Sequence, residues 1–299
     1  MGHGAMTGRM LERIEEILIK ENPDWVLVYG DTNYTLAGAL AAKKLHINVV
    51  HVEAGLRSFN MRMPEEINRI LTDRISDILC CPTETAVLNL VNEGFKRFSD
   101  VQARDKNPLV INTGDVMQDA ALYYSAFSAE KSNIVEELGL QGKEFILCTI
   151  HRAENTDDVE RLRSIVAALN EMSLDRPIIL PLHPRTNKII ELNKLALNFT
   201  PIRPVGYFDM LELLKKTRLV LTDSGGLQKE AYFFKKPCLT LRDETEWVEL
   251  VENGFNELVG TQMADILRAY HQVLLSGSDF AIDLYGNGSA SSRIVGLLQ

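Results

Sequence analysis

The sequence predicts an α/β protein built from two doubly wound domains, each around a parallel sheet. The chain has 299 residues, which is too long for one ordinary core and long enough for two domains of common size. Short apolar runs alternate with segments whose apolar residues recur every three or four positions. That alternation is typical of β-α units in a parallel sheet.

The first predicted domain covers residues 1–117 and opens with a helix. One helical face within residues 6–22 carries apolar side chains, namely Met10, Leu11, Ile14, Ile17 and Leu18. Strands are predicted to follow at residues 25–30, 47–53, 77–83 and 109–114. A doubly wound half usually begins with a strand that carries a ligand loop, so we expect that a β-α-β portion upstream is missing.

The second predicted domain covers residues 118–279 and holds more strands than the first. The boundary between the two is expected within residues 115–140. Apolar runs separated by helical patterns predict strands at residues 144–150, 178–183, 200–205, 219–224, 237–241 and 256–260.

Composition limits the classes of partner. The chain has 32 Lys and Arg against 41 Asp and Glu, a formal net charge of −9, which gives no electrostatic reason to expect a nucleic acid. The cysteines lie in apolar runs without metal-ligand spacing, which is typical of reduced core thiols and predicts no metal site. Because the chain has neither an apolar stretch of membrane-spanning length nor a signal-peptide pattern, we expect a soluble cytoplasmic protein without a membrane partner.

Polar side chains stand where the predicted strands end. In open α/β sheets, ligands collect at the carboxyl ends of the strands. Those ends carry Asp31, Glu53, His151, His183 and the segment 223–226. The candidate site is therefore predicted to lie among these residues.

Residues 221–234, "LTDSGGLQKEAYFF", are predicted to form a strand, a glycine turn and a helix. Gly225 and Gly226 let the backbone approach an anion, while the first N–H groups of the helix and its dipole point at that anion. An Asp or Ser helix cap followed by a tight turn explains the same pattern equally well. If a phosphate binds there, Gln228 and Glu230 are expected within reach of an attached sugar.

The segment 50–69, "VHVEAGLRSFNMRMPEEINR", gathers ionisable groups after an apolar run. Carboxylates held near one another do not all ionise freely, so one pKa rises and an acid/base pair results. Alternatively, Glu65 and Glu66 favour the start of a helix that has Pro64 at its first position. Both explanations hold together if Glu66 has the structural role and Glu65 the functional one.

Two other strand ends keep a structural alternative. Asp31, taken alone, is explained as the cap of the following helix. His151 and Arg152 are placed to contact a phosphate or to move a proton, although an isolated histidine is more often structural.

Taken together, these motifs resemble the non-hydrolysing UDP-N-acetylglucosamine 2-epimerases. The likeness runs through "VLVYGDTN", "HVEAGLRS" with "PEEINR", "PTET", "TGDVMQDA", "HRAEN", "PLHPRT", "TDSGGLQKEA", "LRDETEW" and "YGNGSASSRI". The resemblance implies two Rossmann-like domains of the GT-B-like type with a UDP-sugar in the cleft between them. It also implies a homodimer and a final helix, within residues 280–299, that packs toward the first domain.

The resemblance assigns roles to the motif residues. It implies that the carboxylates of Asp31, Glu53 and Glu65 surround the sugar and that His151 lies near the phosphates. It places Ser224, Gly225 and Gly226 on the diphosphate and Glu230 on the ribose. Further substrate-binding residues are expected at Arg57, Arg152, His183 and Arg242.

The chemistry implied by the resemblance explains the need for carboxylates. UDP leaves C1 as the C2 proton is lost, which gives a 2-acetamidoglucal, and UDP adds again after a proton returns to the other face. Such a site must stabilise a departing diphosphate and supply bases on two faces. No nicotinamide, metal or covalent nucleophile is required, so no cofactor is expected.

The sequence departs from the family at two places. The chain begins at a segment that resembles an internal part of the family's sequence, and Trp247 stands where many bacterial members have arginine. Effector control by UDP-N-acetylglucosamine is therefore not carried over. The alternatives left open are a hydrolysing epimerase, a UDP-2,3-diacetamido-sugar 2-epimerase, and a nucleotide-sugar binding remnant without turnover.

Overall fold

The computed structural model describes residues 2–97, 108–275 and 280–299. The chain divides into two compact units. Unit 1 contains residues 1–119 and 283–299, and unit 2 contains residues 120–282. Each unit has its own parallel sheet, as the sequence predicts.

Unit 1 contains a four-stranded parallel sheet in the order β1-β2-β3-β4. Its strands are β1 (Trp25–Tyr29), β2 (Asn48–Val52), β3 (Ile78–Cys81) and β4 (Leu109–Asn112). Its helices are α1 (His3–Glu21), α2 (Asn33–Lys44), α3 (Pro64–Ile75), α4 (Glu84–Asn92), the first turn of α5 (Val116–Lys131) and, at the far end of the chain, α14 (Ala290–Gly296). The predicted opening helix and four strands are confirmed.

The two faces of this sheet are covered by different parts of the chain. On one face, Val28 and Val49 pack with residues of α1 and α2, such as Leu18. On the other face, Val50 packs with Ile294 of α14. Successive strand residues point to opposite faces, so both faces of a parallel sheet must be buried.

A hydrogen bond and a close backbone contact connect the last segment, residues 283–299, to the rest of unit 1. The N–H of Asp115 donates to the carbonyl of Tyr285 at 2.8 Å. Gly114, at φ 83°, passes so close to that carbonyl that a Cβ would lie 2.7 Å from its oxygen. Only glycine meets both conditions without strain.

Unit 2 contains a five-stranded parallel sheet in the order β6-β5-β7-β8-β9. Its strands are β5 (Ile146–Thr149), β6 (Ile178–Ile179), β7 (Leu219–Thr222), β8 (Cys238–Thr240) and β9 (Asn256–Leu258). Its helices, besides the rest of α5, are α6 (Ile134–Glu137), α7 (Ala153–Thr156), α8 (Val159–Met172), α9 (Pro184–Leu192), α10 (Tyr207–Lys216), α11 (Gly225–Phe233), α12 (Val248–Glu252) and α13 (Met263–Leu275).

The strand predicted at residues 200–205 is wrong. Ile202 alone pairs with Pro181, donating its N–H to Leu180 and accepting from Leu182, both at 3.0 Å. Pro201 and Pro204 have no N–H to extend the ladder. The segment is therefore a single bridge at the sheet edge.

Alternating strand residues build two apolar layers in unit 2. Ile146 and Leu221 face α8 and α13, while Leu147 and Val220 face α10 and α11. Within the described part of the chain, no helix combines the length and apolar character needed to cross a membrane.

Candidate active site

The carboxyl ends of β1 and β2 bring Asp31 and Glu53 together. Gly30, which precedes Asp31, lies so near Glu53 that a Cβ on Gly30 would be 3.4 Å from Oε2 of Glu53. Glu53 is half-buried and has a φ of 72°. A left-handed conformation costs a non-glycine residue about 1–3 kcal/mol and tends to occur at functional sites. This strain marks Glu53 as a residue whose position matters.

Helix α3 holds Asp31 from the other side. Asn68 donates to the carbonyl of Asp31 at 2.9 Å, and the buried guanidinium of Arg69 forms an ion pair with its carboxylate. The same guanidinium donates to Oε2 of Glu66 at 2.9 Å. Charge-assisted bonds of this kind orient a carboxylate strongly.

Glu66 is a structural residue. Its buried carboxylate accepts the backbone N–H of Ser58 at 3.0 Å and that of Phe59 at 2.9 Å, in addition to the guanidinium of Arg69. These bonds fix the loop that leads into α3. Arg69 thus connects that loop to Asp31.

Glu65 differs from its neighbour. It is half-buried in the first turn of α3, and its side chain makes no hydrogen bond or ion pair with any residue that the structure describes. Residues four apart share a helix face, so Glu65 lies on the same face of α3 as Arg69. We call Asp31, Glu53 and Glu65 the acidic cluster of unit 1.

Arg57 is bonded to other residues of unit 1. It is buried, and its donors reach Oδ2 of Asp73 at 2.7 Å, the carbonyl of Leu56 at 2.7 Å and both carboxylate oxygens of Glu93 at 2.6 and 2.9 Å. Burial opposes ionisation, but the bonds and charges of Glu93 and Asp73 outweigh it and raise the pKa of Arg57. This geometry favours a structural role over the substrate contact expected from the sequence.

In unit 2, buried Asp223 fastens the loop after β5. Its carboxylate accepts bonds from three groups of that loop, namely the N–H of His151 at 3.1 Å, the N–H of Arg152 at 3.0 Å and Nδ2 of Asn155 at 3.2 Å. The ring of His151 lies with Nδ1 3.2 Å from Oδ1 of Asp223, yet its side chain is 53% exposed. Asp223 therefore presents His151 to solvent in a fixed position.

The start of α11 has the features of an anion site. Ser224 caps the helix, and its Oγ accepts the N–H of Leu227 at 3.4 Å. The N–H groups of Gly225 and Gly226 meet no acceptor among the residues that the structure describes. Free N–H groups at the positive end of a helix dipole bind phosphate well. We call His151, Arg152, Ser224, Gly225 and Gly226 the anion cluster of unit 2.

The carboxylate of Glu246 lies against Gly225, close enough to collide with any Cβ there. Its Oε2 accepts from Nη1 of Arg242 at 2.9 Å. Burial opposes ionisation, but the charges of Arg242 and Arg152 outweigh it and lower the pKa of Glu246. Arg242 is buried in this ion pair, and its Nε has no partner among the described residues.

Glu230 is a half-buried carboxylate on the same helix. Burial raises its pKa to about 7, although the charge of Lys229 acts in the opposite direction. Burial, with the nearby charge of Glu230, also raises the pKa of Tyr207 to about 12. A carboxylate poised near neutral pH fits an acceptor for ligand hydroxyl groups.

The prediction that Gln228 lies within reach of a bound sugar is wrong. Its side chain is fully buried, with Oε1 accepting from Thr245 at 2.8 Å and from Asn256 at 2.9 Å. Nε2 donates to the carbonyl of Ser224 at 3.2 Å. Gln228 therefore supports the glycine turn from inside and does not reach a sugar.

His183 caps a different helix. It precedes α9, is exposed, and its Nδ1 accepts the N–H of Arg185 at 3.2 Å. The described contacts place it at the carboxyl end of the β6 region and give it a capping role. A ligand contact stays a prediction.

Sequence reasoning missed several polar residues that organise these clusters. They are Asp73, with its buried partner His51, together with Arg69 and Asn155. His51 stands inside an apolar strand, where a buried polar group requires partners, and that was the available signal. The partners themselves lie far away in the sequence.

Comparisons with known proteins agree with this arrangement. A family model described as UDP-N-acetylglucosamine 2-epimerase matches residues 1–299. A Pseudomonas aeruginosa protein named UDP-2,3-diacetamido-2,3-dideoxy-D-glucuronate 2-epimerase is 56% identical over 98% of this chain and 79% of its own length. A Methanocaldococcus jannaschii protein named UDP-N-acetylglucosamine 2-epimerase is 44% identical over 99% of this chain and 81% of its own.

Solved structures give the same result. The crystal structure of the M. jannaschii UDP-GlcNAc 2-epimerase in complex with UDP-GlcNAc and UDP matches all of this chain and 82% of its own, with a TM-score of 0.86 and 44% identity. The enzyme from Neisseria meningitidis bound to UDP-GlcNAc matches with a TM-score of 0.85 and 32% identity, over all of this chain and 82% of its own.

Proposed function

Because this chain belongs to the UDP-N-acetylglucosamine 2-epimerase family, we propose that it is an isomerase that interconverts UDP-N-acetylglucosamine and UDP-N-acetylmannosamine. The observation that carries this proposal is the match of the family model from end to end of the chain. The M. jannaschii relative with that name, at 44% identity, supports it. Carboxylates such as those of the acidic cluster are the groups that such a reaction needs.

The reaction is an elimination followed by an addition. A base removes the C2 proton while the C1–O bond breaks, and that bond's electron pair leaves with UDP, so a C1–C2 double bond forms. A proton then returns to the other face of C2, and UDP adds again at C1. Asp31, Glu53 and Glu65 are the groups proposed for these proton transfers, since general acid/base catalysis requires carboxylates held in position.

The departing UDP gains negative charge on its terminal phosphate. We assign the stabilisation of that charge to the anion cluster, because N–H groups at the start of α11 are oriented before the reaction begins. His151 and Arg152 add polar and cationic donors beside Asp223. Glu230 is proposed to accept bonds from the ribose hydroxyls.

Proton NMR of the wild-type protein with UDP-N-acetylglucosamine in deuterated water tests the proposal. UDP-N-acetylmannosamine carrying deuterium at C2 is the expected product. Free N-acetylmannosamine would instead indicate a hydrolysing epimerase. UDP binding without any change in the sugar would contradict turnover.

A second substrate is favoured by one specific observation. The relative at 56% identity is named for UDP-2,3-diacetamido-2,3-dideoxy-D-glucuronate. Elimination across C1 and C2 proceeds in the same way with that sugar, because the substituents at C3 and C6 stay unchanged. Comparing kcat/KM for the two UDP-sugars decides between them.

We also propose that the protein is a homodimer, as the family resemblance implies. Light scattering during size-exclusion chromatography is expected to give twice the mass of 33.6 kDa. A mass equal to one chain at micromolar concentration would contradict the dimer.

The proposed location is the cytoplasm. Cys80, Cys81, Cys148 and Cys238 are all buried free thiols. Burial raises the pKa of the Cys80 and Cys238 thiols to about 12, which keeps them unreactive. Buried reduced thiols fit a reducing compartment.

A further inference from the structure

A buried histidine-aspartate pair lies beneath the turn that carries Asp31. His51 of β2 and Asp73 of α3 are both fully buried. Nδ1 of His51 is 2.7 Å from Oδ1 of Asp73, and Nε2 is 2.8 Å from the carbonyl oxygen of Gly30. Gly30 immediately precedes Asp31. The imidazole therefore bridges α3 and the end of β1.

Both ring nitrogens of His51 face oxygen atoms. A backbone carbonyl only accepts, so Nε2 of His51 must donate to Gly30. Burial opposes ionisation of Asp73, but the charges and bonds of His51 and Arg57 outweigh it and lower its pKa, so the carboxylate is an acceptor as well. Both ring nitrogens of His51 are thus engaged, Nδ1 by the carboxylate of Asp73 and Nε2 by the carbonyl of Gly30.

Asp73 and its neighbours form a buried polar network. Arg57 donates to Asp73 at 2.7 Å and to Glu93 at 2.6 Å. Asp73 thus lies between the ring of His51 and the guanidinium of Arg57. Buried polar and charged groups are tolerated only when they are paired in this way, which explains why an apolar strand accommodates the imidazole.

The same network reaches the turn that carries Glu53. Oδ2 of Asp73 accepts the N–H of Gly55, two residues after Glu53, at 3.3 Å. The N–H of Gly30 donates to the carbonyl of Val52, the residue before Glu53, at 3.0 Å. His51 therefore bonds the backbone just before Asp31, and Asp73 bonds the backbone just after Glu53.

We propose that His51, held by Asp73, is a positioning residue that fixes the Gly30 turn and so sets Asp31 against Glu53 for proton transfer at C2. The inference rests on the proposed epimerase function. His51 does not touch the sugar in this arrangement. Its effect on catalysis passes through the carbonyl of Gly30.

A matched pair of substitutions separates the two bonds of the ring. In His51→Asn, the amide nitrogen takes the place of Nδ1 and keeps the bond to Asp73, but the carbonyl of Gly30 loses its donor. In His51→Gln, the amide nitrogen takes the place of Nε2 and keeps the bond to Gly30. We expect His51→Asn to lower kcat about 10²-fold, the effect of a misplaced catalytic group, with KM little changed. His51→Gln is expected to recover most of that loss.

His46→Asn is the control, since His46 is exposed and its φ of 61° suits asparagine. Thermal melting and UDP binding, measured on all three variants, report folding. Equal loss of kcat in both His51 variants, or no loss in His51→Asn, overturns the inference. If neither His51 variant folds, 15N NMR of the wild-type protein decides: a hydrogen-bonded proton on Nε2 of His51 supports the inference, and an Nε2 without a proton overturns it.

The failure of the proposed function looks different. A wild-type protein that exchanges no deuterium at C2 with either UDP-sugar overturns the epimerase proposal, and the catalytic role of His51 falls with it. The ring protons would still report the bridge between Asp73 and Gly30. An active wild-type protein with the wrong pattern among the variants overturns only the positioning role.

Discussion

At the scale of single residues, neighbouring acidic residues of unit 1 differ in how their carboxylates are bonded. The carboxylate of Glu66 accepts bonds from backbone N–H groups and Arg69, whereas the side chain of Glu65, one position earlier, makes no bond with a described residue. Glu53 is held in a strained conformation beside Gly30. Bonding and strain, more than residue type, separate the carboxylates that build the fold from those proposed to act on a substrate.

Removing either candidate acid/base tests this distinction. Glu53→Gln and Glu65→Gln are each expected to lower turnover by about 10²- to 10⁴-fold, because an amide cannot take up a proton. UDP affinity, measured by calorimetry, is expected to stay near the wild-type value, since the anion cluster is in unit 2. Glu12→Gln, an exposed change on α1, is the control. Full activity in both variants would refute the assignment.

The raised pKa of Glu230 predicts how the stability of the protein depends on pH. Its pKa is about 7 in the folded protein against 4.5 as the ordinary value, so the folded state binds this proton more tightly than the unfolded state does. The stabilisation is complete below pH 4.5 and is lost as the pH rises toward 7. Relative to wild type, Glu230→Gln should therefore gain stability over that interval.

Urea unfolding at several pH values measures the difference. Glu252→Gln, an exposed change in the same unit, is expected to show no such trend. A difference between Glu230→Gln and wild type that does not vary with pH would contradict the raised pKa.

At the scale of elements, strand ends were predictable and buried polar contacts were not. Short apolar runs between helical patterns placed the strands and hence Asp31, Glu53 and Asp223, because parallel strands end at one edge. The burial of Arg57 depends on Glu93, 36 residues away, and that of Gln228 on Asn256, 28 residues away. Periodicity carries no information about such partners. The prolines at residues 201 and 204 were a visible signal against the strand predicted there.

A substitution at the start of α11 tests the role of the anion cluster. In Gly225→Ala, the added Cβ collides with the carboxylate of Glu246, so either that carboxylate, which is paired with Arg242, or the first turn of α11 must move, and both movements disturb the proposed diphosphate site. We expect UDP affinity to fall at least about tenfold, or about 1.4 kcal/mol. Gly8→Ala is the control, because a Cβ there meets nothing within 4 Å. Unchanged affinity in Gly225→Ala would remove α11 from the nucleotide site.

At the scale of the whole molecule, the chain leaves unit 1 within α5 and returns to it at Asp283. Asp119 secures that return, since its carboxylate accepts the N–H of Ala290 at 3.1 Å and that of Ser291 at 2.7 Å. These bonds cap α14, whose own Ser289 makes no side-chain cap. Ile294 then completes the apolar layer on one face of the sheet.

Asp119→Ala is expected to loosen the last segment of unit 1. Losing a helix cap of this kind costs about 1–2 kcal/mol of unfolding free energy. Hydrogen exchange should speed up at the amides of α14 before it changes elsewhere. Glu130→Ala, an exposed change on the same helix α5, is expected to stay within about 0.5 kcal/mol of wild type. Equal hydrogen-exchange rates in both variants would show that the Asp119 cap does not stabilise α14.

The return of the chain also orders its synthesis on the ribosome. Domains usually fold as they emerge, the amino-terminal one first. Ile294 is translated after every residue of unit 2. Until then, the face of the unit 1 sheet that carries Val50 and Ile78 lacks this side chain of its apolar layer. A nascent chain arrested before α14 should therefore expose an apolar sheet face and recruit chaperones, even though its second unit has already been made.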